Sequence, residues 1–325
     1  MKKTDLSIPE LMYEHEKQLS ISVEVLPPIR GKGIDSIFQI IVTIKDIHPL
    51  WIDVTNHSPT TEWIPDNQQD FFYRKNVRRK SPGTIAICGA INFKYNIPAV
   101  PHLLCHGFTR EETEDGLIDL NYLGIKNILA IRGDGHYEKP HTLHAGNDYA
   151  LDLIHQIQNM NQGNFLDQQA QAINFCIGAA CYPEKHFESP NLTTSNRCLA
   201  QKQKHGVSYA VSQMFFNNEK FHEFYQSIKE EITIPVIPGL KILSSPKQLH
   251  DIPKRFFIEI PQQLVENMHD LDKAQAKEIG IEWTYQQCLD LIEHGHNHLH
   301  FYIMRNTDLF LRLISKLNDK FKFIR

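Results

Sequence analysis

The stretch "TREETEDGLIDLNYLGIKNILAIRGD", residues 109–134, holds the repeating unit of the chain in miniature. Thr109 with Glu112 has capping-box spacing, and Glu111, Glu112 and Glu114 place negative charge on the positive end of a helix dipole. Leu117, Leu120 and Leu123 mark one helical face, and Gly124 ends the helix. The apolar run "NILAIR", 127–132, then reads as a buried strand. It breaks into Arg132, Gly133 and Asp134, so the strand delivers polar groups at its end.

The same alternation runs outward in both directions. Strands are expected at 21–26, 50–55, 99–105, 127–132, 175–182, 209–216, 235–242 and 298–304. Helices are expected at about 35–47, 83–95, 109–124, 146–161, 193–205, 219–232, 245–256 and 307–317, with more helix near 261–270 and 273–294. "SPKQ", 245–248, supplies a Ser cap, Pro at the first helical position and Gln three after the cap. Eight strand-then-helix units predict an α/β fold of the (β/α)8 barrel type. The rival is a doubly wound open sheet, but "PPIRGKG" after the first strand is no G-x-G-x-x-G fingerprint. A single catalytic barrel domain over 1–325 is expected, with an irregular insert at 56–81 after the second strand. The five basic residues of the insert's "DFFYRKNVRRK" read most simply as a solvated face; contact with a phosphate or polyanionic substrate tail is the other reading.

Composition narrows the class. The chain has 325 residues, 41% hydrophobic and 22% charged, as expected of a soluble globular protein. A net charge of −4 argues against a nucleic-acid or anionic-membrane partner. Cys88, Cys105, Cys176, Cys181, Cys198 and Cys288 form no C-x-x-C pair and mostly sit in apolar segments, which reads as reduced thiols in a cytoplasmic protein. "MKKTDLSIPELMYEHEK" has no apolar h-region of a secretory signal, and no apolar run approaches the roughly 20 residues of a membrane span. A homo-oligomer is expected.

The strand ends carry the candidate chemistry. "ISVEVLPP", 21–28, alternates as a strand yet places Glu24 within it. A buried, unpaired carboxylate is costly, so Glu24 faces either water or a cavity where its proton is useful. In a barrel the active site forms at the C-terminal strand ends. There the sequence offers Glu24, Thr55, His102, Arg132 with Asp134, Tyr182 with Glu184 and His186, Gln213 and Tyr302. So many polar strand ends favour a lined pocket over a polar rim. Gly133 would let a ligand approach the backbone, although Arg132 and Asp134 could simply pair with each other. "EHGHNHLH", 293–300, is the most metal-like stretch. A capped helix entering the eighth strand is the default there, and no metal is assigned.

"SVEVLPP", "VPHLLC" with "LGIKNILAIRGD", "AACYPEKH", "SQMFF", "IPVIPGL" and "HLHFY" occur in the order found in methylenetetrahydrofolate reductases, and the chain resembles that family from about residue 20 to 317. The resemblance implies a (β/α)8 barrel of the short bacterial type, without a C-terminal regulatory domain, holding non-covalent FAD. It implies ping-pong reduction of 5,10-methylenetetrahydrofolate to 5-methyltetrahydrofolate by NADH or NADPH, in one-carbon metabolism and methionine biosynthesis. By resemblance Glu24 is the general acid that opens the imidazolidine ring, and Asp134 is the aspartate beside the flavin. Thr55, His102, Arg132, Gly133, Asp134, Tyr149, Ala150, Tyr182, His186 and Lys202 match FAD contacts. Glu24, Gln213, Gln248 and Tyr302 match the folate site. The chain departs from the family pattern in three places: Ser195 and Cys198, with Asn196 adjacent, align with an Asp and an Asn; Ile252 replaces a stacking aromatic, with Phe256 one turn on; and the second strand ends "VTNHS". A flavin oxidoreductase with another acceptor and a non-catalytic folate-binding barrel are the alternatives.

Overall fold

The computed structural model describes residues 2–65, 72–78, 81–133 and 146–323. Its strands are β1 (Ser20–Val25), β2 (Ile52–Val54), β3 (Thr60–Pro65), β4 (Tyr73–Arg78), β5 (Ala99–Leu104), β6 (Asn127–Ile131), β7 (Cys176–Cys181), β8 (Val207–Ser212), β9 (Val236–Ile237), β10 (Gly239–Leu240) and β11 (His298–Met304). The helices are α1 (Ile8–Glu14), α2 (Asp35–Ile44), α3 (Thr84–Tyr95), α4 (Arg110–Tyr122), α5 (Ala150–Asn161), α6 (Leu192–Lys204), α7 (Asn218–Ile228), α8 (Gln248–Phe256), α9 (Gln262–Met268), α10 (Lys273–Glu293) and α11 (Thr307–Phe321).

The large sheet runs β10-β11-β1-β2-β5-β6-β7-β8-β9, parallel throughout. β9 and β10 are two halves of one barrel strand, split at Pro238, which has no N–H to give the ladder. β9 pairs with β8 and β10 pairs with β11, so the split strand joins the two ends of the sheet into a (β/α)8 barrel. Gly239 is required at the split: a Cβ there would lie 2.4 Å from the Ser212 carbonyl oxygen.

The strand alternation has two buried faces. Ile21, Val23, Val25, Ile52, Val54, Ile128 and Ala130 face the helical ring, where Ile37, Ile41, Leu117, Leu120, Leu313 and Leu317 meet them. The opposite face of the strands lines the barrel interior. At its N-terminal end Trp51, Val100, Leu129, Tyr209, Val211 and Ile237 form an apolar floor with Leu6, Ile8 and Leu11. α1, which the strand–helix pattern does not announce, is therefore the plug of the barrel floor. Its signal is nonetheless in the chain: Ser7 and Glu10 form a reciprocal capping box, with Pro9 in the first turn. Asn127 pins the plug by accepting from the Ile8 N–H and donating to the Leu6 carbonyl, each at 2.9 Å.

Of three local expectations, one holds and two are refined. The Thr109–Glu112 capping box of α4 forms as read. At "SPKQ" a turn precedes the helix, and α8 starts at Gln248 because its side-chain oxygen accepts from the Ser244 N–H at 2.6 Å. The insert is not wholly irregular: β3 and β4 pair antiparallel from Thr60↔Arg78 to Pro65↔Tyr73, with Trp63 and Tyr73 exposed.

Candidate active site

The structure answers the question posed by Glu24. Ser20, Ser22 and Glu24 of β1 line the barrel interior, and each meets a buried polar partner there. Ser20 Oγ lies 2.8 Å from His298 Nδ1, His298 Nε2 lies 3.0 Å from Ser22 Oγ, and Ser22 Oγ lies 2.8 Å from His300 Nδ1. His300 Nδ1 stands 3.8 Å from Asp53 Oδ2, while Asp53 Oδ1 stands 3.4 Å from His102 Nε2. His102 Nε2 is 3.6 Å from Glu24 Oε2. A column of buried polar groups thus rises inside the barrel to Glu24, near the C-terminal end of β1.

Charge in this column is unevenly placed. Burial pushes His298 well down and His300 down to about 4, so both are neutral at pH 7. Burial also depresses His102, but the close Asp53 carboxylate and the charge of Glu24 outweigh it and leave His102 above the usual histidine value. Trp51 fixes Asp53 by donating its indole N–H to Oδ2 at 2.7 Å and stacks on His298 at 4.4 Å between ring centroids. Asp53 and Trp51 are absent from the sequence-based site. The signal was present: "WIDVT" alternates, which puts Trp51, Asp53 and Thr55 on one strand face. His298 and His300 belong to this interior column. Among the described residues the metal-like group is instead His222, Asp290 and His294 on the barrel exterior, with ligand atoms within 4.8 Å of one another.

Of the residues matched to the flavin, Thr55, Arg132, Gly133, Tyr182 and His186 follow β2, β6 and β7, while His102 lies within β5 and Lys202 within α6. The Arg132 guanidinium pairs with Glu188 and lies 5.0 Å from the centroid of the Tyr149 ring. His186 packs edge-on to Tyr182 at 4.8 Å, and its Nδ1 is 4.0 Å from the Glu188 carboxylate. Lys202 donates to the Ala180 carbonyl at 3.1 Å, and burial pulls its ammonium below the usual lysine value. Ala150 opens α5, whose N-terminus therefore joins the same group. Ser195, one departure from the family pattern, accepts from the His186 N–H at 3.1 Å and fixes that loop. The Oγ1 of buried Thr55 and the Nε of Arg132 have no hydrogen-bond partner among the described residues. Gly133 has φ +95°, the left-handed region that favours glycine. Orphaned buried donors beside Arg132, Lys202 and His186 fit a ligand with a hydrogen-bonding ring edge and a diphosphate. Asp134 lies outside the described residues.

The folate-matched residues divide. Tyr302 donates its hydroxyl to the Ser212 carbonyl at 2.5 Å, close to Gly239. Lys241, unremarked in the sequence, donates to the Tyr302 carbonyl at 3.4 Å and interacts with the charge of Glu24. Gln213 follows β8 directly, and its side-chain oxygen accepts from the Met214 N–H at 2.9 Å. Gln248 spends its side-chain oxygen on the Ser244 turn. Ile252 is buried in a small apolar cluster with Leu249, Ile258 and Leu264, and Phe256 packs against that cluster. Phe187 stacked on Phe257, 4.8 Å apart, is an exposed aromatic pair.

Comparison with known proteins shows the family. The family model for methylenetetrahydrofolate reductase matches residues 10–318. A 5,10-methylenetetrahydrofolate reductase of Buchnera aphidicola subsp. Baizongia pistaciae is 28% identical over 311 residues, covering 94% of this chain and 93% of that protein. Methylenetetrahydrofolate reductase 1 of Schizosaccharomyces pombe is 25% identical over 307 residues, covering 93% of this chain. The chain spans 46% of that fungal protein and 44% of a Caenorhabditis elegans relative, about half the length of each. A solved structure of an uncharacterized protein from Clostridium thermocellum, described as binding two copies of 5-methyl-5,6,7,8-tetrahydrofolic acid, shares the fold at a TM-score of 0.57. It is 13% identical and is covered to 99%, against 95% of this chain. The chain belongs to the methylenetetrahydrofolate reductase family.

Proposed function

We propose that this protein reduces 5,10-methylenetetrahydrofolate to 5-methyltetrahydrofolate, with NADH or NADPH as electron donor and non-covalent FAD as carrier. The observation that carries the reading is a buried Glu24 beside His102 near the C-terminal end of β1. The folate imidazolidine ring must open to an iminium before hydride can add, and opening requires protonation of a weakly basic nitrogen. A buried carboxylic acid suits that step, because burial disfavours its charged form. Bound FAD would accept hydride from the nicotinamide and pass it to the folate.

The chain's own residues do the rest. Thr55 supplies an unused buried hydroxyl to the flavin edge, Arg132 and Lys202 supply cationic donors for the diphosphate, and His186, which burial holds below the usual histidine value, supplies a neutral imidazole. Gly133, Tyr149, Ala150 and Tyr182 shape the same wall. His102 serves the flavin and Glu24 from one position. Gln213 and Tyr302 orient the pterin, and the Asp134 carboxylate stabilises the cationic iminium. Gln248 acts on the folate indirectly, by fixing the turn before α8. One pocket serves both substrates in turn, which gives ping-pong kinetics. Five of the six cysteines are buried and all six are free, which suits a reducing cytoplasm. No described helix is long and apolar enough to cross a membrane.

The test is anaerobic. The purified protein is expected to carry FAD that acid releases into the supernatant. NADH or NADPH should bleach the flavin, and methylenetetrahydrofolate should restore its colour. Protein that takes up no FAD, or reduced flavin that folate leaves reduced, would contradict the proposal.

A further inference from the structure

His102 Nε2 stands between two buried carboxylates, 3.4 Å from Asp53 Oδ1 and 3.6 Å from Glu24 Oε2. Asp53 is completely buried, and an ionised carboxylate in that position needs a cation. Among the described residues His102 and His300 are the bases that reach it. His300, pushed down to about 4, is neutral at pH 7 and holds Ser22. His102 is held above the usual histidine value despite its burial. Among the described residues the other groups whose fields reach Asp53 are the Cys88 thiol and the phenols of Tyr209 and Tyr302, all driven well upward by burial and hence neutral. Among the described residues that face Glu24 are His102, Lys241 and Tyr302, whose phenol is likewise pushed well up. The charge on Asp53 therefore belongs with a charge on His102.

We propose that Asp53 is a positioning residue of the acid site: packed against His102, it holds the imidazolium beside Glu24 and balances its charge, so that Glu24 retains its proton for the folate. The inference rests on reading Glu24 as the folate acid. An unbalanced imidazolium at 3.6 Å would favour the Glu24 carboxylate and remove the proton the reaction needs. Paired with Asp53, the same imidazolium presents a hydrogen-bond donor with most of its field cancelled. It can then steady the Glu24 carboxylate after the proton has passed from Glu24 to the folate nitrogen. Trp51, which donates to Asp53 at 2.7 Å, and the Ser22–His300 pair fix the aspartate from below.

Asp53→Asn keeps the shape and removes the balancing charge. Two readouts follow in the variant, with circular dichroism to show that it is folded. In the FAD-free protein, imidazole nitrogen NMR should show wild-type His102 protonated above the ordinary histidine range and losing its proton at lower pH in the variant. In the FAD-loaded protein, the alkaline limb of the folate half-reaction should move acidward by about one pH unit, a roughly tenfold loss at any pH above both limbs. The NAD(P)H half-reaction should keep its profile. Asp53→Asn combined with His102→Gln removes both charges and should bring the limb back towards that of wild type. A limb unmoved by Asp53→Asn, or an unchanged His102 titration, would overturn the proposal. A wild-type protein that accepts hydride from NAD(P)H but shows no folate half-reaction would instead overturn the reductase reading on which it rests.

Discussion

At the scale of single residues, the barrel interior sorts histidines by what lies next to them. His102 has two carboxylates within reach and is pushed up; burial pushes His298 down, and pushes His300 down too although Asp53 stands 3.8 Å away. The two cases have opposite signs in stability. His300 falls from 6.5 to about 4, so its contribution is complete above pH 6.5 and is lost as pH falls towards 4, where only the unfolded chain is protonated. That shift corresponds to something on the order of 3 kcal/mol. The contribution of His102 is complete below 6.5 and is lost as pH rises through its elevated value. His300→Asn keeps a polar atom for Ser22 and removes the titration. Its melting temperature should be lower than wild type at pH 7, yet fall less steeply between pH 6.5 and 4; equal slopes in the two proteins would count against this account.

At the scale of elements, α1 and the split strand close the barrel at points that periodicity conceals. α1 contributes Ile8 and Leu11, both fully buried, to the floor formed by Trp51, Leu129 and Tyr209. Asn127→Ala removes both hydrogen bonds that hold the chain there and leaves the Ile8 N–H and Leu6 carbonyl unsatisfied. Each orphaned group costs about 1–3 kcal/mol, which urea denaturation should register as a lower midpoint with an unchanged slope. Gly239→Ala should be worse tolerated than alanine at exposed Gly31, where a Cβ meets nothing within 4 Å but would carry the strain of φ +88°. Comparing the thermal midpoints of the two alanine variants distinguishes close backbone approach from backbone strain.

At the scale of the whole molecule, the architecture was legible because most parallel strands are short apolar runs ended by polar residues, and some helices, α4 above all, carry their own start and stop. Thr109, Glu112, Gly124 and "NILAIR" sufficed for one unit, and the others followed the same rule. α1 escaped because a short plug has too few turns to show a period. The β3–β4 hairpin escaped because its sequence mixes charges with aromatics on an exposed ribbon. The candidate site was legible where polar residues sit at strand ends, as at Glu24, Thr55 and Arg132. It was not legible at Asp53 and His300, one step below the rim, because burial and cross-strand pairing are properties of the closed barrel. Family likeness did not supply Asp53 either; the interior contacts did. Gln248 and Ile252 show the converse, positions matched by likeness whose side chains the fold uses for a turn and a core.

The central claim is that Glu24 is the proton donor to folate and has no part in accepting hydride from NAD(P)H. The measurement is anaerobic stopped-flow on Glu24→Gln, with the two half-reactions followed separately by flavin absorbance. The account predicts normal FAD binding and near-normal reduction by NAD(P)H. It predicts that reoxidation by methylenetetrahydrofolate slows by about 10²–10⁴-fold, since the amide cannot donate the proton. A variant whose folate half-reaction runs near the wild-type rate would contradict it.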